Sequence, residues 1–336
     1  MNYDLKEFPS SRMRRLRMKP FLRNLVSEHS FSCNDLIWPV FIVDGKNIKQ
    51  DVTSMPDVYR YSIDILIKEL EKQVKLGLQA IALFPNIEPS LKDKTGSIGF
   101  DPNNLICRSI KSIKNAYPEL GIIADVALDP YTSHGHDGII VDDEIANDKT
   151  LSVLKEQAIV FSEAGCDILA PSDMMDGRVG YIRKALEDNG MHNKVIMSYA
   201  VKYASSFYGP FRDAIKAQKL EGIRDKKSYQ MNFMNSDEAM HEIGLDINEG
   251  SDMIIIKPGM PYLDVILRAK QEFKVPTFAY QVSGEYSMLV SAAKSKSIHL
   301  EDAMIESLHC FKRAGADGVL SYFTPYLLDY LNKSSK

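Results

Sequence analysis

The chain has 336 residues, of which 45% are hydrophobic and 26% are charged, and its formal net charge at pH 7 is −4. This composition is ordinary for a globular enzyme, and the acidic balance gives no reason to expect a nucleic acid as a partner. The four cysteines stand far apart without a C-x-x-C pair, which argues against a disulfide framework and a cysteine-only zinc site. No apolar run has the length of a membrane span and no hydrophobic signal core is present, so we expect a cytoplasmic protein without a membrane partner.

The first 35 residues form a basic segment ahead of the first strong strand pattern. It carries Arg12, Arg14, Arg15, Arg17, Lys19 and Arg23. A basic amphipathic arm can contact RNA or a membrane, but at this overall charge a solvated or subunit-clasping tail is the better expectation. We therefore predict an N-terminal arm at residues 1–35 that serves oligomerisation, followed by a single catalytic domain at 36–336.

From residue 36 onward, patterns typical of buried strands alternate with helical patterns. Strands are predicted at 36–43, 80–84, 122–128, 168–171, 195–201, 253–256, 277–282 and 318–323. Helices are predicted at 62–76, 105–116, 150–164, 177–189, 236–249, 262–272 and 300–314. Eight strands alternating with helices indicate an α/β fold, a (β/α)8 TIM barrel with an extended N-terminal arm. A doubly wound open sheet is the alternative, but no G-x-G-x-x-G motif or P-loop follows any strand.

Residues 207–235 interrupt this alternation with a Gly-Pro pair and a charged stretch. Long inserts in a compact fold are usually lids or disordered segments. Because this insert directly follows a strand that ends in a lysine, we predict an active-site lid.

Two apolar strands end in a lysine, and these lysines are the predicted catalytic pair. Lys257 follows the run 253–256 and Lys202 follows 195–201. A lysine at a strand end can simply extend to solvent, but in one barrel both amines would lie at the carboxyl-terminal rim. Two ammonium groups about 6 Å apart repel by roughly 3 kcal/mol at an effective dielectric constant near 20. We therefore expect each lysine to help keep the other neutral and nucleophilic.

The third predicted strand runs into a segment rich in carboxylates and imidazoles. Asp125, Asp129, Asp137, His134 and His136 lie close together there. Oxygen ligands favour Mg²⁺ or another hard ion over zinc, and an Asx-capped turn with satisfied histidines is the alternative. Asp125 lies within the strand itself, where alternation can point it inward to position a lysine or transfer protons.

Polar residues at the other strand ends are candidates for substrate binding. Ser172 and Asp176 follow the fourth strand, where helix capping is the competing explanation. Ser283 and Tyr322 follow the last two strands and are candidates for binding a carboxylate. Three cations on or beside the lid are candidates for binding a second carboxylate, with ordinary solvated charge as the alternative: Arg212, Lys226 and Lys227.

Several long motifs together resemble the porphobilinogen synthase (5-aminolevulinate dehydratase) family. They are 169–177, 197–202 with 207–212, 256–259 and 280–286, and the resemblance covers nearly the whole chain. It implies the condensation of two 5-aminolevulinate molecules to porphobilinogen with loss of water, on the pathway to haem and other tetrapyrroles. It also implies a homo-octamer whose arms wrap neighbouring barrels.

The resemblance assigns roles to the candidates named above. Lys257 resembles the Schiff-base lysine of the P-side substrate, whose carboxylate meets Ser283 and Tyr322. Lys202 resembles the A-side lysine, whose substrate carboxylate meets Arg212 and a lid lysine, either Lys226 or Lys227.

The resemblance also bears on metals. Where the zinc-dependent branch has three cysteines, this chain has Ala127, Asp129 and Asp137, so no catalytic zinc is expected. The chain is similar to the magnesium-responsive branch, in which a distant allosteric Mg²⁺ is held largely through water near a glutamate that matches Glu242. Whether Asp129 and Asp137 hold a cation is left open.

Two other functions remain to be weighed against this one. A class I aldolase acting on sugar phosphates would need only one lysine and a phosphate-binding nest, and no Gly-rich nest follows the last strands. An RNA-binding barrel would use the basic arm. Neither explains two lysines at strand ends.

Overall fold

Eight parallel strands close into a barrel in the computed structural model, which describes residues 7–216, 223 and 225–334. The barrel closes because the last strand pairs with both the seventh and the first. The strands are β1 Leu36–Val43, β2 Ala80–Asn86, β3 Gly121–Val126, β4 Ile168–Pro171, β5 Val195–Lys202, β6 Met253–Lys257, β7 Thr277–Gln281 and β8 Gly318–Ser321. The predicted TIM-barrel fold is confirmed.

Helices between and after the strands cover the outside of the barrel. Their bounds are Ile63–Lys75, Leu105–Ala116, Asn147–Glu163, Arg178–Asp188, Asp237–Asn248, Leu263–Phe273, Ser283–Lys294, Leu300–Arg313 and Thr324–Ser334. Each presents an apolar stripe to the strands, as Leu66 and Leu70 do with no measurable exposure. Two short antiparallel hairpins complete the regular structure, at Lys49–Asp51 with Tyr59–Tyr61 and at Ile140–Val141 with Glu144–Ile145.

The sequence patterns do not predict two of these helices. The helix Ser283–Lys294 begins with Ser-Gly, which is typical of a turn, and the side chain of Glu285 stabilises its first turn by accepting from the N–H of Val282 at 2.6 Å. The predicted eighth strand runs to residue 323, but the observed strand ends at Ser321. The helix Thr324–Ser334 begins three residues later. Both helices therefore start directly at the rim where the candidate residues lie.

The described part of the predicted arm is exposed. A one-turn helix at Met13–Arg17 and the helix Pro20–Leu25 bury no residue of their own. Large apolar side chains on this segment face solvent, including Phe8, Met18 and Leu25 at 74%, 68% and 77% exposure. The first six residues of the arm lie outside the described residues, and the domain boundary at residue 35 stays a prediction. Within the described chain, no helix has both the length and the apolar character to cross a membrane.

The predicted lid at 207–235 begins with a turn at Ser206–Tyr208 and the helix Gly209–Ala214. The guanidinium of Arg60 fastens the end of this helix by donating to the carbonyls of Asp213 and Ala214. Residues 217–222 and 224 of the predicted lid lie outside the described residues. The chain returns to the barrel where Met231 pairs with Tyr203, just beyond β5.

Candidate active site

Lys202 and Lys257 are paired neighbours at the carboxyl-terminal ends of β5 and β6. Their Cα atoms are register partners in the parallel ladder, and their residues are only 5% and 6% exposed. The two strands therefore bring both amines to the same rim of the barrel, as the strand-end pattern predicts. In TIM barrels this rim carries the chemistry.

The amine of Lys257 lies among aromatic rings. Its Nζ is 4.8 to 5.3 Å from four ring centroids, those of Tyr280, Tyr199, Phe211 and Tyr208. Burial and, after it, the neighbouring charge of Lys202 lower the pKa of this amine to about 7, against the raising effects of the nearby aspartates. A substantial fraction of Lys257 is therefore the neutral, nucleophilic amine near neutral pH.

Lys202 has the opposite environment. Its Nζ donates to Oδ1 of Asp137 at 2.9 Å and to the backbone carbonyl of Ser172. Burial lowers the pKa of this amine, but Asp137, Asp129 and Asp125 together outweigh burial and raise it above its ordinary value. The expectation that each lysine keeps the other neutral is therefore wrong for the ligand-free site. The charge of Lys202 adds to burial in lowering the pKa of Lys257, and a carboxylate hydrogen-bonds only Lys202 among the described residues.

Asp137 is the centre of this charge network. Its Oδ2 accepts from Nζ of Lys226 at 2.6 Å and from the hydroxyl of Tyr229 at 2.9 Å, while its Oδ1 accepts from Lys202. Burial raises the pKa of the carboxyl, but the two ammonium groups and their hydrogen bonds hold it well below its usual range. Lys226 also reaches Oδ2 of Asp129 at 3.3 Å.

The cation site predicted around Asp129 and Asp137 is not assembled. In the described residues, no three His, Cys, Asp or Glu side chains converge closely enough to hold a metal. The ammonium of Lys226 bridges the two carboxylates instead. His136 is bound by Ile223 and Tyr229, and His134 contacts the carbonyl of Lys94, so both imidazoles serve the packing of loops.

Asp125 and Ser172 lie next to the lysine pair. Burial raises the pKa of Asp125 to about 6, against the lowering effects of Lys257 and Lys202 and of a hydrogen bond from Ser172. Oδ1 of Asp125 has no hydrogen-bond partner in the described chain. A carboxyl group with a pKa near 6 beside two amines is suited to proton transfer at neutral pH.

The lid cations share a cavity of about 630 Å³ beside the lysine pair, which Arg212, Lys226 and Lys227 all line. The side chain of Lys226 is 10% exposed and points to the aspartates, whereas that of Lys227 is 68% exposed. Of the two lysines that the sequence leaves open, the structure brings Lys226 to the site.

Ser283 and Tyr322 lie at the same rim, each with a partner. The hydroxyl of Ser283 accepts from the N–H of Phe211 at 2.9 Å and contacts the carbonyl of Phe207 at 3.4 Å. The hydroxyl of Tyr322 shares a hydrogen bond of 2.9 Å with that of Tyr280, one of the rings around Lys257. Both hydroxyls therefore border the Lys257 side of the site.

Glu242 lines a second cavity of about 640 Å³, which Asp176 and Glu238 also line. Burial raises the pKa of Glu242, and the charges of Asp246, Asp176 and Glu238 add to this against the effect of Arg178. Asp176 thus belongs to this acidic cavity and not to the lysine pair. A hydrated cation would relieve the repulsion among these carboxylates.

Sequence reasoning missed the aromatic rings and one lysine. Tyr199 and Tyr280 lie inside predicted strands, where the pattern indicates only burial. Tyr229 lies three residues beyond Lys226, and only the folded lid shows that its hydroxyl binds Asp137. Lys92 lies in a loop after β2, without an apolar strand directly before it to signal burial.

Comparisons with known proteins show what this chain is similar to. Residues 10–330 match the family model described as Delta-aminolevulinic acid dehydratase. A Delta-aminolevulinic acid dehydratase of Bradyrhizobium diazoefficiens is 55% identical over 94% of this chain and 89% of the relative, and one of Rhodobacter capsulatus is 47% identical over 95% and 96%. The crystal structure of the Toxoplasma gondii enzyme in complex with the reaction product porphobilinogen superposes with a TM-score of 0.94 at 42% identity, over 96% of this chain and 92% of that one.

Proposed function

This chain belongs to the Delta-aminolevulinic acid dehydratase family, and we propose that Lys257 and Lys202 are the two amines through which it carries out the family's reaction. It is a porphobilinogen synthase, a hydro-lyase of tetrapyrrole biosynthesis that condenses two molecules of 5-aminolevulinate. The observation that carries the assignment of the two lysines is their register pairing at the rim of the barrel. One substrate ketone faces each amine.

Lys257 reacts first, because it is the amine with a substantial neutral fraction. Its Nζ bonds to the ketone carbon of one 5-aminolevulinate, and the carbonyl oxygen leaves as water after it is protonated. We assign this protonation to Asp125, whose pKa of about 6 suits an acid and base near neutral pH. The product is a protonated imine, which acidifies the adjacent C–H bonds.

Lys202 reacts second. Once Lys257 carries the fixed charge of a protonated imine, the neighbouring ammonium of Lys202 is destabilised and its pKa falls. The second imine then forms by the same steps. A carbon next to the imine on Lys202 then loses a proton to Asp125 and bonds to the imine carbon on Lys257, and the amino group of the Lys257-bound substrate bonds to the imine carbon on Lys202. Both lysines leave as amines when their bonds to these carbons break, and the loss of protons from the ring carbons gives the pyrrole. The rings around Lys257 and the lid keep water from the intermediates.

The two substrate carboxylates bind at opposite ends of the site. Ser283 and Tyr322 bind the carboxylate of the substrate on Lys257. Their hydroxyls must then share or exchange the hydrogen bonds that they now make with the lid backbone and with Tyr280. Arg212 and Lys226 serve the substrate on Lys202, since both line the lid cavity and Lys226 already binds carboxylates. Lys227, more exposed, adds positive charge to the entrance.

Borohydride trapping tests this assignment. The purified enzyme is incubated with 5-aminolevulinate, reduced, digested and analysed by mass spectrometry. We expect an adduct on Lys257 at limiting substrate and on both lysines at saturating substrate. Lys257→Met and Lys202→Met should each abolish porphobilinogen formation, with Lys184→Met on the barrel surface as the control. Adducts on other lysines alone would overturn the assignment while leaving the reaction intact.

The family uses metal ions, and we propose that this chain is of the magnesium-responsive kind. Glu242 and its acidic neighbours line one cavity without converging as direct ligands, which suits a Mg²⁺ that keeps most of its water ligands, whereas Lys226 bridges Asp129 and Asp137. Mg²⁺ would supply charge compensation at this cavity and no part of the covalent chemistry.

We further propose a homo-octamer assembled through the arm. The support is the row of exposed apolar side chains on the described arm, among them Phe8, Met18 and Leu25. Such surface is rarely left open in a monomer. Light scattering of the full chain and of a variant lacking residues 1–25 should show the octamer only with the arm present.

A further inference from the structure

A third buried lysine lies beside the site, and the reaction described above does not use it. Lys92 follows the one-turn helix Pro89–Leu91 and is 8% exposed. Within the described residues its Nζ has no hydrogen-bond partner. An ammonium buried without any partner is costly, so a lysine retained at such a position interacts with a nearby charge or with bound water.

The segment that follows Lys92 is fastened to the loop that carries the carboxylates of the site. The N–H of Ser133 donates to the carbonyl of Asp93 at 2.8 Å, and Asp93 and Thr132 form a parallel bridge. Nε2 of His134 contacts the carbonyl of Lys94 at 3.1 Å. These contacts hold Lys92 against the loop that runs from Asp129 to Asp137.

Asp129 is the carboxylate that acts on Lys92. Burial lowers the pKa of the Lys92 amine, and the negative charge of Asp129 raises it. The direct ion pair of Asp129 in the described chain is with the lid lysine Lys226, at 3.3 Å. Lys92 therefore interacts with Asp129 over a distance longer than that of a direct ion pair, for example through one bridging water molecule. Asp129 thus interacts with two lysines, Lys92 in the loop after β2 and Lys226 on the lid.

We propose that Lys92 is a positioning residue for the second substrate: it shares the charge of Asp129 with Lys226 and so weakens the attachment of the lid lysine to the aspartates. The inference rests on the proposed role of Lys226, which has to leave Asp129 and Asp137 when it binds the substrate carboxylate. Without the charge on Lys92, Asp129 attracts Lys226 alone. The substrate carboxylate then competes less well for Lys226.

Steady-state kinetics of Lys92→Met, which keeps the length of the side chain and removes its charge, test this. We expect KM for 5-aminolevulinate to rise roughly tenfold, a factor that corresponds to about 1.4 kcal/mol, with kcat changing less than about twofold. Lys92→Arg should restore KM. Lys94→Met, at an exposed position of the same loop, is the control and should match the wild type.

A double-mutant cycle separates this role from packing. Asp129→Asn removes the charge that Lys92 and Lys226 share, so adding Lys92→Met to it should leave KM unchanged. Equal effects of Lys92→Met with and without Asp129 would overturn the proposal, as would a folded Lys92→Met variant with wild-type KM. If Lys92→Met does not fold, Lys92→Gln is measured in the same way. A wild-type enzyme that forms no porphobilinogen would refute the proposed function instead.

Discussion

Lys202 and Lys257 are partners in the ladder between β5 and β6, yet only Lys202 has a carboxylate within hydrogen-bonding distance in the described chain. Asp137 accepts from Lys202 at 2.9 Å, whereas aromatic rings surround the amine of Lys257. Two lysines at equivalent positions thus have pKa values shifted in opposite directions. In the proposed mechanism this difference determines which lysine reacts first, and it predicts opposite effects of the same substitution on stability.

Replacing each lysine by methionine should separate activity from stability. Lys257→Met removes an amine that is costly to bury, so we expect the free energy of unfolding to rise by about 1 kcal/mol. Lys202→Met removes one of the two ammonium groups that bind Asp137, so we expect the free energy of unfolding to fall by roughly 2–3 kcal/mol. Urea unfolding of the two variants measures both values. A more stable Lys202→Met variant would contradict the assigned ion pair.

The reaction should require a deprotonated Lys257. The folded pKa of this amine is lowered to about 7, so the neutral form predominates above that pH and is lost as the pH falls through it. Asp125, with a pKa of about 6, becomes protonated over an overlapping range and can then no longer accept the proton that a carbon next to the imine loses. We therefore expect kcat/KM to fall on the acidic side with an apparent pKa between about 6 and 7.

The variant Asp125→Asn tests which group causes this acidic limb. If Lys257 dominates, the limb remains in the variant and shifts to lower pH, because a negative charge that stabilised the ammonium is gone. Disappearance of the limb in an active variant would assign it to Asp125. The profile is measured at saturating and at low substrate, so that kcat and kcat/KM are separated.

The barrel and the position of the lysine pair follow from the sequence because strand periodicity and strand ends are local properties. The lysines end two apolar runs, and parallel strands bring such ends to one rim. Their protonation states do not follow, because the deciding partner, Asp137, is 65 residues from Lys202. Local sequence patterns also cannot predict the hydrogen bond between Tyr229 and Asp137, because these residues are 92 positions apart. The helix that starts at Ser283 was missed because its Ser-Gly start resembles a turn until Glu285 is seen to bind it.

Gly284 determines how closely this helix approaches the base of the lid. A Cβ at position 284 would lie within 2.4 to 2.9 Å of the backbone of Phe207, in the segment that Ser283 also binds. Because the contact is with backbone, Gly284→Ala should displace the lid and reduce kcat/KM by about tenfold or more, with a loss of stability of about 1–3 kcal/mol. Gly190→Ala is not a suitable control, because the backbone φ of Gly190 is positive. Gly209 has a helical backbone and is the suitable control.

At position 209 no atom lies within 4 Å of an added Cβ, and the backbone is helical. Gly209→Ala should therefore leave both stability and kcat/KM near the wild-type values, although it lies in the same lid segment. Equal losses of stability and kcat/KM in Gly284→Ala and Gly209→Ala would show that any substitution in this region impairs the enzyme. That result would count against a specific contact between Gly284 and Phe207.

Removing metal should affect this enzyme through Glu242. EDTA is expected to lower activity, and Mg²⁺ should restore it, because a hydrated Mg²⁺ relieves the repulsion that raises the pKa of Glu242. Glu242→Gln should make activity independent of both EDTA and Mg²⁺. Glu272→Gln, at an exposed position of the helix Leu263–Phe273, is the control and should keep the response. Rescue by Zn²⁺ alone would overturn the metal assignment, and a Glu242→Gln variant that still responds to Mg²⁺ would place the ion elsewhere.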